Sequence, residues 1–433
     1  MYARTFQHCC FTSQRHRVHQ HIPLTDMKNI LIINQPLGNR GDESAHRALL
    51  RTLNKTYPTT RITILTLFDW CNAERDFIVE HNNNNYVNFL YSHNLAAPLV
   101  AKWSLQFGFV KLALYAHPIL RKLLPYYNNA DIVICAPGGI CMGGFQDWHH
   151  LFMLYVAKIC KKPLAYYSRS FGPFPTKTWL NRRFKHISEE MLAYFSFLSI
   201  RDKKTMTLAN EMQLHYVPAI DTAFLEQPQV DLSDELKCLL NENTIIFVPN
   251  SLTWHYAYHQ YDQEVIDNFY LSIIKQVQEK YPDYKIVMLP QLCSLGNNGD
   301  YTYFKQLNDK LHNSANVIIV SDQYGSDVQQ TIIRNAKFVI GARYHSIVFA
   351  INNNRPFIAL NYEHKIAGLL DILNLSKYNV NIENIFSSSS QTQSALAQCE
   401  TLLTQLKTDS IPSNANTIAQ QCFYKFLEQF PYK

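Results

Sequence analysis

The 433-residue sequence predicts an α/β protein built from two doubly wound domains with a cleft between them. Three observations lead there. Short apolar runs rich in β-branched residues alternate with helical patterns along most of the chain, the mark of parallel sheets covered on both faces. The alternation pauses once, at residues 225–242 (LEQPQVDLSDELKCLLNE), a polar stretch containing Pro228 and suited to an interdomain connection. Glycines and arginines recur where strands give way to helices, at the carboxyl ends where open α/β sheets bind ligands.

The first series of strands is expected at 29–34, 61–67, 131–137, 164–168 and 197–201, with helices at 44–55, 148–161 and 176–194. The second is expected at 244–250, 284–290, 316–320, 337–341 and 356–360, with helices at 263–280, 303–312, 326–336 and 366–374. These give domains over 27–224 and 243–390. Residues 391–433 add one more helical pattern, QTQSALAQCETLLTQLKT, and a tail that packs back on one of the domains. SSSSQTQS (387–394) and the asparagine-rich HNNNNYVN (81–88) read as loops. Residues 1–26 lack apolar periodicity and a continuous apolar core, so they are no secretory signal. Met27 opens a typical protein start, and the segment before it is expected to be a disordered tail or an upstream extension.

Composition narrows the function. The net charge is +6, and the densest basic cluster is Arg182, Arg183 and Lys185. That balance excludes a nucleic-acid arm and fits an anionic small ligand or an anionic membrane face. Ten cysteines show neither CxxC pairs nor zinc spacing, so reduced thiols of a cytoplasmic protein are expected, without a metal. No run of 18 apolar residues occurs, which excludes a spanning helix. Phe107 to Tyr127 (FGFVKLALYAHPILRKLLPYY) is mostly apolar, carries Lys111, Arg121 and Lys122, and is broken by Pro118. It suits either a core helix pair or a peripheral contact with the inner membrane face.

Five strand-to-helix junctions carry chemistry. GNRGDES (38–44) has glycines that let the backbone turn sharply, and Asp42 and Glu43 suit a helix start. APGGICMGG (136–144) is a second glycine turn; SRSFGPF (168–174) and SIRD (199–202) supply Arg169 and Arg201. GARYHSIVFAINNNRPFIALNYEHK (341–365) places Arg343 and His345 between a buried strand and an apolar helix, with Lys365 after the next strand. Planar guanidinium groups at strand ends suit a phosphate or carboxylate, free N–H groups of a helix start suit the same anion, and a histidine shuttles protons near neutral pH.

Taken in order, GNRGDESAHRALLRTL, APGGI, SIRDKKT, PAIDTAF and ARYHSIVFAINNNRPFIALNYEHKIAGLL resemble the polysaccharide pyruvyl transferase family over nearly all of residues 27–375. The Arg343-Tyr344-His345 segment with Pro356, Tyr362 and Lys365 is the most specific part. The resemblance implies a GT-B-like fold of two Rossmann-like domains and transfer of pyruvate from phosphoenolpyruvate, as a ketal, onto a sugar of a polysaccharide or lipid-linked oligosaccharide. It implies no cofactor beyond phosphoenolpyruvate as donor substrate. It assigns donor binding to Arg343, His345, Arg201, Lys365 and Ser346, and catalysis to His345 and Arg343. His345 acts there as the acid and base or as a donor to the phosphate. The acceptor side falls to Gly41, Asp42, Gly138, Gly139 and Asp221. Two other readings keep the fold: a glycosyltransferase using a nucleotide sugar, and a non-catalytic glycan-binding subunit.

Overall fold

The computed structural model describes residues 27–36, 38–66, 84–88, 96–240, 243–255, 257–293, 299–406 and 410–431. The expectation for residues 1–26 lies outside the described residues. The first sheet contains β1 (Asn29–Ile33), β2 (Arg61–Thr66), β3 (Asn84–Asn88), β4 (Ile132–Cys135), β5 (Leu164–Arg169), β6 (Phe197–Ile200) and β7 (Val217–Pro218). The second contains β8 (Thr244–Val248), β9 (Lys285–Met288), β10 (Val317–Ile319), β11 (Phe338–Gly341), β12 (Phe357–Asn361) and β13 (Asn379–Asn381). Both are wholly parallel, ordered β3-β2-β1-β4-β5-β6-β7 and β10-β9-β8-β11-β12-β13. In each, the order reverses beside the first strand, so the switch points lie at the carboxyl ends of β1/β4 and β8/β11.

Side-chain alternation along the strands divides the core. Ile30 and Ile32 of β1 face one way, into a core continuous with that of the second domain. Leu31 and Ile33 face the other way, into a separate core beneath helices Ala96–Phe107, Trp148–Ile159 and Trp179–Tyr194. The 225–242 connection holds a short helix, Asp234–Leu239, capped by the Ser233 hydroxyl, which accepts from the Leu236 amide at 3.3 Å.

The domains are bound together by more than this connection. Helix Arg40–Thr56 of the first packs on helix Ser326–Asn335 of the second. Glu43, buried in that seam, accepts from Arg40 at 2.8 Å, Arg47 at 2.9 Å and the Ser326 amide at 3.1 Å. Arg51 adds Asp327 at 2.6 Å. The chain end divides between the domains. Helix Ser389–Gln405 lies on the second, where Tyr281 donates to the Leu403 carbonyl at 2.8 Å. Helix Ala415–Gln429 returns to the first, with the Phe426 ring 5.6 Å from Tyr167 and 5.4 Å from Phe197.

Two loop assignments are corrected. Asn84–Asn88 is strand β3, paired in parallel with β2 through Ile62 to Thr66. Asparagine disfavours strands, but the open edge of β2 supplies the partners. SSSSQTQS turns helical from Ser389 rather than staying a loop to 394.

Candidate functional site

Strand β11 ends at Gly341 and helix Tyr344–Asn352 begins three residues later, with Arg343 as its N-cap in extended conformation. The Ser346 hydroxyl donates to the Arg343 carbonyl at 2.6 Å and so fixes the turn. Residues two apart on a helix do not face each other, and here they diverge. Arg343 turns into the second domain, where its guanidinium bonds to the carboxylate of Asp300. Asp300 is 2 % exposed and is itself held by the amides of Gln291 at 3.0 Å and Leu292 at 2.9 Å. Arg343 and Asp300 line a cavity of about 660 Å3 together with Ser251, Trp254, Gln263 and Tyr303. The guanidinium lies 6.0 Å from the Trp254 ring, within the range of a cation–π contact.

His345 turns the other way, toward the first domain. Its Nε2 lies 3.5 Å from Asp221 Oδ2. Asp221 is fully buried, bonds to Arg201 and accepts from the Ala223 amide at 3.0 Å. Burial alone would raise the Asp221 carboxyl, but Arg201, His345 and the Ala223 amide hold it down to about 2. Arg201 in turn lies 5.5 Å from the Tyr344 ring. Gly41 closes the group from the first helix: a Cβ there would stand 1.8 Å from the His345 ring. No other residue type allows this approach, so the second glycine of GNRGDES serves the close contact of the two domains.

The carboxyl ends of β4 and β5 form the facing wall. Arg169 is fully buried. It donates to the carbonyls of Ala136 at 2.6 Å and Asn34 at 3.2 Å, and to the Cys141 sulfur at 3.2 Å. Gly138 bridges to Arg169, and a Cβ on it would meet Pro36 at 2.7 Å and the guanidinium at 3.2 Å. Gly139 has open space around it. Burial pushes the Cys135 thiol beneath this loop up to about 11, against the pull of Arg169.

The structure thus brings Arg201, Asp221, His345 and Gly41 together and sets Arg343 on a separate cavity. Asp42 is half-buried in the first turn of its helix, and its charge acts on both Arg169 and Arg201. Ser346 is buried and spent on the turn. Lys365 pairs with Glu363 at 3.3 Å beyond β12. Asp221, expected on the acceptor side, has Arg201 and His345 as its neighbours. Asp300 and Trp254 escaped the sequence reading. Asp300 offered one signal, an acid after Gly299 at a helix start.

Comparison with known proteins agrees with this architecture. The polysaccharide pyruvyl transferase family pattern matches residues 39–364. The amylovoran biosynthesis protein AmsJ of Erwinia amylovora is 22% identical over 385 residues, covering 84% of this chain and 90% of that protein. Similar solved folds include a putative UDP-N-acetylglucosamine 2-epimerase of Listeria monocytogenes, with a TM-score of 0.58 at 10% identity over 94% of this chain and 98% of that one. The UDP-GlcNAc 2-epimerase of Methanocaldococcus jannaschii in complex with UDP-GlcNAc and UDP gives 0.54 at 14% identity over 92% and 99%. At such identities these two speak for the GT-B-like fold alone. With the family pattern matched over most of its length and the two-domain fold in place, the chain belongs to the polysaccharide pyruvyl transferase family.

Proposed function

We propose that the chain transfers the pyruvyl group of phosphoenolpyruvate onto two hydroxyls of a sugar, in a polysaccharide or lipid-linked oligosaccharide precursor, as a cyclic ketal. The observation that carries this reading is the divergence at residues 343–345. A permanent cation faces a cavity on one side of a helix start, and an imidazole 3.5 Å from a buried carboxylate faces the other domain on the other side. A donor seated on the first turn of that helix has Arg343 for its charge, backbone N–H groups for its phosphate and His345 for its proton traffic.

The chemistry balances with those groups. A proton is added to the enol methylene, making the methyl group and an electrophilic C2. One sugar hydroxyl attacks C2 and loses its proton. The C2–phosphate bond then breaks with its electron pair leaving on phosphate. The second hydroxyl attacks and gives up the second proton. One proton ends in the methyl group and the other departs with phosphate. Asp221 acts as a positioning residue for His345, and Arg201 acts through Asp221. The glycine loop at Gly138 and Gly139, with Asp42, faces the acceptor, and Lys365 lies at the donor's outer edge. The AmsJ relative, an amylovoran biosynthesis protein, supports an exopolysaccharide or capsule setting. Cys135, Cys141, Cys160, Cys238, Cys399 and Cys422 form no disulfide, which fits the cytoplasm as the compartment.

The test is phosphate release. Phosphoenolpyruvate should raise the melting temperature, and phosphate should appear only when a pyruvylatable glycan is added. Stabilisation by uridine diphosphate with no response to phosphoenolpyruvate would replace this reading with a nucleotide-sugar transferase. Glycan binding without phosphate release would leave a non-catalytic subunit.

A further inference from the structure

The outer helical layer of the first domain carries two features that the transfer chemistry does not use. The first is charge. Residues 81–130 and 148–188 contain no Asp or Glu. They hold Lys102, Lys111, Arg121 and Lys122 in the first stretch and, besides the buried Arg169, seven Lys or Arg in the second, against a net charge of +6 for the whole chain. The two stretches supply one layer, because helix Ala96–Phe107 packs on helices Trp148–Ile159 and Trp179–Tyr194. Lys111, Arg121 and Lys122 are exposed and make no ion pair among the described residues.

The second feature is apolar. Trp103, Phe107, Phe109, Leu112, Trp179 and Leu180 are exposed on this layer, Phe107 at 65% and Leu112 at 67%. Phe107 stacks on Trp179 with ring centroids 5.9 Å apart. That contact joins the end of one helix to the start of the helix that leaves the β5 loop. The apolar ridge therefore reaches the strand carboxyl ends, where the crevice opens. Phe145, 83% exposed, stands on the β4 loop of the same rim. The expectation for Phe107–Tyr127 is sharpened in the process. Leu120, Leu123, Leu124 and Tyr127 are buried core, and the exposed surface comes from residues 99–115 together with 179–180.

We propose that this layer docks the protein on an anionic lipid bilayer. Aromatic side chains insert at the headgroup level and the surrounding cations meet the anionic headgroups. A ridge of exposed Trp, Phe and Leu bordered by the exposed Lys111, Arg121 and Lys122 complements that surface in both charge and polarity. The acids further along helix Trp179–Tyr194, Glu189 and Glu190, are paired with Lys185 and Lys158. Docking there presents the carboxyl-end rim of the first domain to the membrane. The inference goes beyond the transfer reading and does not depend on it.

The experiment is co-sedimentation of the full chain with vesicles of phosphatidylglycerol and phosphatidylethanolamine, and with vesicles of phosphatidylcholine alone. Binding is expected to the first and not to the second, and to weaken with salt. Lys111→Gln, Arg121→Gln and Lys122→Gln together should weaken it about a hundredfold, from roughly fivefold per cation. Brominated lipid should quench tryptophan fluorescence, and Trp103→Phe with Trp179→Phe should remove most of that quenching. Phe107→Ser, Leu112→Ser and Trp179→Ser together should abolish binding, with the melting temperature and its shift by phosphoenolpyruvate unchanged. Absence of binding to anionic vesicles, equal binding to both vesicle types, or binding unchanged in these variants would overturn the proposal. So would a dimer that the apolar variants dissociate, which would make a second copy the occupant. Loss of the phosphoenolpyruvate shift with vesicle binding intact counts against the transfer reading alone.

Discussion

Arg201 and Arg343 both follow a strand of their own sheet, and both bond to an aspartate that is almost wholly inaccessible, Asp221 and Asp300. Their other sides differ. Arg201 is roofed by the Tyr344 ring, and its aspartate also touches His345 from the opposite domain. Arg343 keeps an open side on the cavity. An arginine enclosed by its partners holds a geometry, whereas an arginine with a free side recognises a charge. The same residue type just past a strand end, at different places in the two sheets, thus meets two different surroundings.

The largest expected effect comes from breaking the enclosed pair. Arg201→Ala leaves the Asp221 charge buried without its cation, and should cost about 3–5 kcal/mol of stability in denaturant unfolding. The double variant Arg201→Ala/Asp221→Ala should cost less than the sum of the two single changes. Strict additivity would show that the pair is not coupled.

Arg343→Ala should reverse the pattern. Asp300 keeps two backbone amides, so the stability loss should be near 1–3 kcal/mol. Affinity for phosphoenolpyruvate should fall by about 2–5 kcal/mol in calorimetric titration. Arg343→Lys should not restore it, since an ammonium lacks the planar fork. Unaltered donor affinity in a folded Arg343→Ala protein would move the donor away from this cavity.

The sequence foretold these residues unevenly. Buried runs such as NILII and TIIFV read as strands because β-branched side chains suit a sheet covered on both faces. NNYVN of β3 and NVN of β13 did not, because their asparagines favour turns and only the neighbouring strand makes them pair. Arg343 and His345 stood out as a cation and a proton carrier at a strand end. Their divergence depends on where the helix begins, and Asp300 reaches Arg343 from 43 residues away. The Arg201–Asp221 pair was present in SIRD and PAID, but only the packing of β6 beside β7 brings the two together.

Smaller effects sharpen the contrast at the seam. Gly41→Ala places a methyl group inside the His345 ring space and should destabilise by about 1–3 kcal/mol. Turnover should fall while calorimetric donor affinity stays within a few-fold of wild type. Normal turnover in Gly41→Ala would free His345 from this packing.

Acid provides the mildest test. His46 is buried in helix Arg40–Thr56, and burial, with a smaller contribution from Arg47, lowers it from 6.5 to about 3. The folded state then binds fewer protons than the unfolded one between those values, so stability falls as pH drops from 6.5 toward 3, by at most about 1.4 kcal/mol per pH unit for this one group. Asp221 is depressed from 3.8 to about 2, so its contribution is complete above pH 4 and is lost only below it. Urea midpoints between pH 6 and 4 should therefore decline less steeply in His46→Gln than in wild type. The Arg201–Asp221 pair should leave that range unchanged.

The division of labour between Arg343 and His345 is tested most directly by single-turnover phosphate release from His345→Gln at saturating phosphoenolpyruvate with a pyruvylatable glycan. Glutamine can still donate a hydrogen bond but cannot carry a proton. The rate should fall about 10²–10⁴-fold while the titrated donor affinity stays close to wild type. A wild-type rate in His345→Gln would contradict the account.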